Sequence, residues 1–470
     1  MPSSFGVLAV AATLIASVSC ANAARTVPSG AAPDDALMAR ARAVHHRVLT
    51  LDTHVDIDPE NFRAGTLNYA QRLNTQVDLT KMEEGGLDAI FFSIYVGQGP
   101  LDAAGYAHAY AVDTAKFDAV HRLAEQLAPD RIAIAYTAAD VRRIHASGKK
   151  VALMGVENGY GIDTDIRRVK EFYDRGGRYM SLAHNGNNQL SDSNTGEAAN
   201  DWLWGNGLSP LGTQVIAEMN RLGMMIDISH PSKGSMMQTL AITKAPIIAS
   251  HSGVRALCDN ARNLDDDELR ALGKNGGVVQ LVAYRGFVKC DAAYDATRAR
   301  ALASLDSAFG IARGRRAGAG APPARGAVAG TPGPSCGAAR GAPRAGMSPA
   351  AEEQLAGLSP ERREEYRTRR RAIDERYPMR PDATVKDYVD HIDYAVKLIG
   401  LDHVGISSDF DGGGGLADYG CALQAVNVTA ELLRRGYSEE QIGRIWSGNL
   451  LRVMGEVEQV AKRIQAGAAS

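Results

Sequence analysis

A (β/α)8 TIM barrel with a long insertion between its seventh and eighth strands is the α/β architecture this sequence predicts, on three observations. Apolar runs of strand length recur eight times along the chain. Between them lie amphipathic stretches of helical period, and "SPLGTQVIAEMNRLG" and "KDYVDHIDYAVKLIG" both end at glycine, a frequent helix C-cap. The runs are also nearly continuous in apolar residues, as expected of a parallel sheet covered on both faces.

The first run is "RVLTLDTH" (47–54), which opens the barrel, and the second is "LDAIFFSIYV" (87–96). "RIAIAYT" (131–137) is a ninth strand-like run, placed in an excursion after the second strand. "VALMGVE" (151–157), "YMSLAH" (179–184), "MMIDISH" (224–230) and "PIIASH" (246–251) follow as the third to sixth strands. "GGVVQLVAY" (276–284) and "HVGISSDF" (403–410) complete the set. The gap between these last two holds a different kind of sequence. Of the 35 residues from Arg313 to Met347, Ala, Gly, Pro and Arg supply 30, without apolar periodicity. Such a stretch cannot bury enough surface to offset its ordering entropy, so disorder is expected over 313–347. A highly charged helix is expected around 352–377.

The N-terminus reads as a signal peptide, 1–23, with an apolar stretch from Phe5 to Val18 followed by the small-x-small site "ANA". Cleavage after Ala23 is favoured over lipid attachment at Cys20, because Ser17 stands where a lipobox carries Leu. No Lys or Arg precedes the apolar stretch, which is atypical. The expected location is periplasmic or extracellular, with no transmembrane anchor. The barrel itself is bounded at 36–462. Near-neutral charge, 52 basic against 54 acidic residues, gives no electrostatic case for nucleic acid or an anionic membrane. Four cysteines remain after signal removal, Cys258, Cys290, Cys336 and Cys421; an oxidising compartment invites disulfides, and three pairings are open.

Six of the eight strands end in, or just before, ionisable residues: His54 with Asp56, Glu157, His184, His230, His251 and Asp409. Barrel active sites are built at the carboxyl ends of the strands, so these side chains should converge. Alternation supports this, since Val151, Leu153 and Glu157 share one face, as do Ile226, Ile228 and His230, and Ile247, Ala249 and His251. Singly, each has an ordinary structural explanation: a His hydrogen-bonded in the core, an Asp capping the next helix, Glu157 paired to an Arg. Asp52 is read as structural. As a set, four of the chain's 11 histidines at strand ends beside three carboxylates point to a cation, since imidazole and carboxylate are ligands of zinc and similar metals.

The motifs "DTHVD", "GVENG", "SLAHNGNN", "DISHPS", "ASHSGVRALCDNARNLDDDEL", "GISSDFDG" and "LLRRGYSEEQIGRIWSGNLLRVMGEVE" resemble the membrane dipeptidase (renal dipeptidase, peptidase M19) family of the amidohydrolase superfamily. The resemblance runs from about Ala43 to Val460, interrupted by the 313–347 insert. It implies two zinc ions per chain: His54 and Asp56 on the first, His230 and His251 on the second, and Glu157 bridging. It further implies that His184 polarises the scissile carbonyl and that Arg262 grips the substrate's C-terminal carboxylate. From the residues alone, Arg262 reads as a surface arginine. Asp409 would take the proton role and meet the free amino group. A hydroxide between the metals would be the nucleophile. Cys258 and Cys290 would be joined. The expected function is an exported dipeptidase whose small dipeptide substrates include C-terminal D-residues. Its alternatives are an amidohydrolase acting on N-acyl amino acids, lactams or lactones, and a barrel that binds without catalysis. The insert and the charged helix depart from the family's compact core, leaving lid geometry and a homodimer open.

Overall fold

Eight parallel strands form the wall of the barrel, taken in hydrogen-bonded order. They are β1 (Leu51–Asp56), β2 (Ala89–Tyr95), β4 (Lys150–Glu157), β5 (Gly177–Ser181), β6 (Met225–Asp227), β7 (Ile248–Ser252), β8 (Val278–Val282) and β9 (Val404–Ser407). The short β3 (Ile132–Ile134) pairs with β4 off this path, so the ninth apolar run lies outside the ring as expected. The ring closes at its mouth, where Asp56 N–H donates to the Phe410 carbonyl (2.9 Å) and Asp409 N–H to that of His54 (3.1 Å). This computed structural model describes residues 33–311, 336, 355, 357–378 and 382–467. The signal segment 1–23 and, Cys336 apart, the 313–347 insert lie outside the described residues.

The helices start and stop where local chemistry instructs them. Pro210–Leu222 begins behind Ser209, whose hydroxyl accepts from the Gly212 amide, and ends at Gly223 with φ 87°. Val385–Ile399 opens with a Thr384/Asp387 capping box, satisfying two otherwise orphaned amides. Two apolar layers result. One lies between sheet and helices and includes Ile226, Ile228, Ile247 and Ala249. The other fills the barrel with Leu51, Phe91, Leu153, Met225 and Val278, and Val453, Met454 and Val457 of the C-terminal helix Asn449–Gln465 close it at the amino ends of the strands.

The insertion between β8 and β9 contains the helices Ala292–Ala308 and Pro360–Arg376. They share a small core of their own around Leu305, Phe309, Ile311 and Tyr366, with the Tyr366 hydroxyl donating to Asp306 at 2.6 Å. Of the three cysteine pairings, the structure contains Cys258–Cys290 together with Cys336–Cys421. Among the described residues no helix is long and apolar enough to cross a membrane.

Candidate metal centre and active site

Strand alternation accounts for Glu157 but not for every residue at the mouth. Val151 and Leu153 face the barrel interior, and Glu157 continues their face. Ile226, Ile228, Ile247 and Ala249 instead face the helices, so alternation would turn His230 and His251 away from the mouth. Two backbone irregularities re-aim them. The ladder of β6 stops at Asp227, whose carboxylate accepts the Ser229 amide (3.1 Å) and bends the chain. In β7 the register shifts between Ala249 and Ser252, and in β1 a similar shift separates Asp52 from Val55. Bulges beside active sites commonly redirect side chains in this way. His184 and Asp409 also lie beyond the ladders of β5 and β9 rather than within them.

The predicted residues meet around one carboxylate. Glu157 Oε2 is 3.1 Å from His54 Nε2; its Oε1 is 3.0 Å from His230 Nε2, 3.4 Å from His251 Nε2 and 3.5 Å from His184 Nε2. His54 Nε2 is also 3.5 Å from Asp56 Oδ2 and 4.0 Å from Asp409 Oδ1. All but Asp56 are buried. Three overlapping groups could each hold an ion: His54 with Glu157 and His251, Glu157 with His184 and His230, and His54 with Asp56 and Asp409. Gly412 makes the last group feasible, because a Cβ there would sit 2.1 Å from Asp56 Oδ2 and 2.4 Å from Asp409 Oδ1.

Hydrogen bonds behind the histidines decide which nitrogen faces the centre. The Tyr179 hydroxyl donates to the Thr53 carbonyl (3.1 Å), so it accepts from His54 Nδ1 (2.9 Å). Ser250 Oγ donates to Asp227 Oδ2 (2.6 Å) and therefore accepts from His251 Nδ1 (2.8 Å). His230 Nδ1 donates to Asn185 Oδ1 at 3.2 Å. In each neutral ring, then, Nε2 carries a lone pair directed at Glu157. His230 Nε2 and His251 Nε2 stand only 3.1 Å apart, and His54 Nε2 is buried without a hydrogen-bond partner. Lone pairs crowded against a carboxylate repel one another unless cations lie between them. The donor set therefore fits metal ions.

The electrostatics agree. Burial, with help from Arg262 and from neighbouring imidazoles, holds His230 and His251 well below the ordinary histidine range, which keeps them neutral. Burial draws His184 down to about 4. Burial also opposes charge on Glu157 and on His54, but their surroundings outweigh it: His54, His184, His230 and His251 hold Glu157 well below the carboxylate range, and Tyr179, Glu157 and Asp56 hold His54 well above its own. Asp409 is pushed well up by burial, with Asp56 and Glu157 adding to the effect.

Arg262 is buried rather than on the surface, which corrects the reading of it from the residues alone. Its guanidinium donates to the carbonyls of Ser229 and His251 and lies 3.1 Å from His230 Nε2, with the Phe287 ring 5.3 Å away. The ring of His184 packs at 4.7 Å from that of Tyr95, and its Nδ1 is buried without a partner among the described residues. Asp52 accepts the amides of His54 (3.2 Å) and Ser408 (3.0 Å), tying β1 to β9 beneath the site.

Sequence reasoning missed the supporting residues Tyr179, Ser250, Asp227, Asn185 and Ser93, the last donating to Glu157 Oε2 at 3.0 Å. Most stand inside the quoted strand segments, but nothing in their spacing says which histidine they orient. Gly155 is part of the same arrangement, since a Cβ there would lie 1.9 Å from the Tyr179 ring.

Comparison with known proteins adds to this geometry. The chain is 29% identical to the dipeptidase aclJ of Aspergillus oryzae over 412 residues, covering 86% of this chain and 75% of that one. It is 30% identical to the dipeptidase tcpJ of Claviceps purpurea over 394 residues, covering 82% and 70%. The crystal structure of the probable dipeptidase PvdM from Pseudomonas aeruginosa superposes with a TM-score of 0.69 at 30% identity, over 91% of this chain and all of that one. A metallopeptidase of Rhodobacter sphaeroides, liganded with a phosphinate mimic of L-Ala-D-Ala, shares the fold at a TM-score of 0.59 and 19% identity, over 87% and 99%. Residues 38–468 match the family described as membrane dipeptidase, peptidase family M19. With a closed parallel barrel and clustered metal-ligating side chains at its mouth, this chain belongs to the membrane dipeptidase family M19, the metallo-dipeptidases that hydrolyse dipeptides.

Proposed function

We propose that the chain is an exported dipeptidase working with two zinc ions, with His54 and Asp56 on one, His230 and His251 on the other, and Glu157 between them. The observation that carries this is the convergence of three imidazole Nε2 atoms on a single buried carboxylate. Zinc bound there would lower the pKa of a water and polarise the scissile carbonyl.

The remaining roles belong to side chains of the chain. Arg262, still charged at neutral pH although burial draws it down to about 10, offers a planar guanidinium to the substrate's C-terminal carboxylate. Asp409 faces the substrate's amino group and carries the proton to the leaving amine. His184 Nε2 donates to the carbonyl oxygen as charge develops on it. With one end of the substrate read by Arg262 and the other by Asp409, a longer peptide leaves a buried charge unpaired, which selects dipeptides. D-residues are accepted at the C-terminal position, and the cysteine pairs accord with an oxidising compartment outside the cytoplasm.

Elemental analysis of the purified chain, with a panel of L-Xaa-L-Xaa, L-Xaa-D-Xaa and N-acylated substrates, tests this. Two zinc per chain and turnover of free dipeptides of both series are expected. Full activity without metal, or turnover of blocked substrates alone, would overturn the assignment.

A further inference from the structure

We infer that the end of the barrel opposite the catalytic mouth holds a second binding site, for a phosphate-type oxyanion carrying more than one negative charge. The C-terminal helix, the helix Ala138–Ala146 and the segment entering β7 enclose a cleft of about 570 Å³ there. Four basic residues line it, Arg142, Lys244, Arg452 and Arg463, against one acid, Glu456. That acid is already engaged, because Glu456 Oε1 accepts from Arg452 Nη1 at 3.1 Å. The nearby Glu458 is engaged too, accepting the Ala138 amide at 2.8 Å.

Arg452 is the fixed member of the group. The carbonyls of Gly276 (3.0 Å) and Asp402 (2.9 Å) hold its guanidinium, while its buried Nε has no acceptor among the described residues. Arg142 reaches only the Ala138 carbonyl among the described residues, at 3.2 Å. Among the described residues, neither Arg142, Lys244 nor Arg463 has a carboxylate within ion-pair distance. Some arginines elsewhere on the surface are paired, Arg47 with Glu439, Arg131 with Glu83 and Arg255 with Glu197, whereas here three cations line one cleft. In a chain of net charge -2, three unpaired cations around one concavity are a local excess of like charge.

A monovalent ion would leave most of that excess uncompensated. A doubly charged oxyanion offers several acceptors to guanidinium forks that match its geometry. Pro246, Leu451 and Val460 form the apolar part of the lining, where lower polarity strengthens the charge interaction and an ester's carbon skeleton finds contact. The size lies in the usual range for small-molecule sites. The same chemistry is presented by a soluble phosphate monoester and by the phosphomonoester headgroup of a lipid such as phosphatidic acid.

Inorganic phosphate is titrated into the metal-loaded full-length protein by calorimetry, and phosphatidic acid vesicles, whose phosphomonoester headgroup can carry a second negative charge, are tested in parallel by co-sedimentation. The comparison protein is the triple variant Arg142→Ala, Lys244→Ala, Arg463→Ala. Binding of one phosphate, or of the vesicles, that weakens with salt and falls about tenfold or more in the triple variant is expected. Hydrolysis of dipeptides and thermal unfolding should be unchanged in that variant. Free phosphate binding identifies a soluble ligand, and vesicle binding alone identifies a headgroup. No binding of either, or phosphate binding that survives the triple substitution and so resides at the metal centre, overturns the inference.

Discussion

Replacing Tyr179 by phenylalanine removes one oxygen and leaves the ring in place against Phe91, 5.1 Å away between centroids, and over Gly155. That oxygen accepts from His54 Nδ1 at 2.9 Å and donates to the Thr53 carbonyl at 3.1 Å, and all three residues are fully buried. The substitution strands two polar groups where water does not reach, at a cost of about 1–3 kcal/mol each. Part of that cost falls on the fold. The part that bears on function is the freedom it gives His54 to rotate, or to carry its proton on Nε2 instead of Nδ1. Loss of a comparable supporting bond in metal sites weakens metal affinity by about 10–100-fold, or about 1.4–2.8 kcal/mol. Zinc competition against a chromophoric chelator measures this directly, and thermal unfolding of the metal-free protein separates out the effect on the fold. The expected result is weaker zinc binding, with activity recovered at high zinc. Unchanged zinc affinity in a variant whose metal-free form unfolds like the parent would refute the role given to Tyr179.

Arg262→Lys keeps a positive charge but loses the fork, so kcat/KM for free dipeptides should fall by roughly 10–150-fold, from about 1.5–3 kcal/mol for charged hydrogen bonds. Equal loss on C-terminally amidated substrates would mean that Arg262 does not read the carboxylate. His45 is buried between Thr429 Oγ1 (2.8 Å), the Gly85 carbonyl (3.2 Å) and the Trp446 ring, and burial draws its pKa down from 6.5 to about 4. Below pH 6.5 the unfolded chain gains a proton there that the folded chain refuses. Stability present above pH 6.5 is therefore lost between pH 6.5 and 4, by about 3 kcal/mol from this group. Urea unfolding across that interval should show a shallower loss in His45→Gln than in the parent; identical slopes would exclude the contribution. Removing the Cys258–Cys290 bridge with Cys258→Ser and Cys290→Ser frees a 32-residue loop and should lower stability by about 4 kcal/mol on the chain-entropy account. A midpoint in denaturant that does not move would show the loop to be held by its packing alone.

Strand count and order were legible because each strand of a parallel barrel is apolar on both faces, a pattern carried by a few adjacent residues. The excursion through β3 and the charged helix of the insertion, found at Pro360–Arg376, were legible for the same local reason. His54, Asp56, Glu157, His184, His230, His251 and Asp409 could be collected from the sequence because barrel geometry brings strand ends to one rim. How they turn inward could not be read. Alternation sends His230 and His251 toward the helices, and only the end of β6 at Asp227 and the shift in β7 reverse them.

The sequence alone determined which chemical groups are available and that they gather at one end of a barrel, since residue type and periodicity are properties of neighbours along the chain. Tertiary structure alone decided that Tyr179, Ser250 and Asn185 orient the three imidazoles, that Gly155 and Gly412 leave room for them and for paired carboxylates, and that Arg262 is buried beside His230. Most of those contacts join residues tens to hundreds of positions apart, and even the adjacent Ser250 and His251 depend on Asp227, 23 positions away, which takes the Ser250 hydroxyl proton. Their distances follow from how the strands are staggered around the ring, and no local pattern in the chain encodes that stagger.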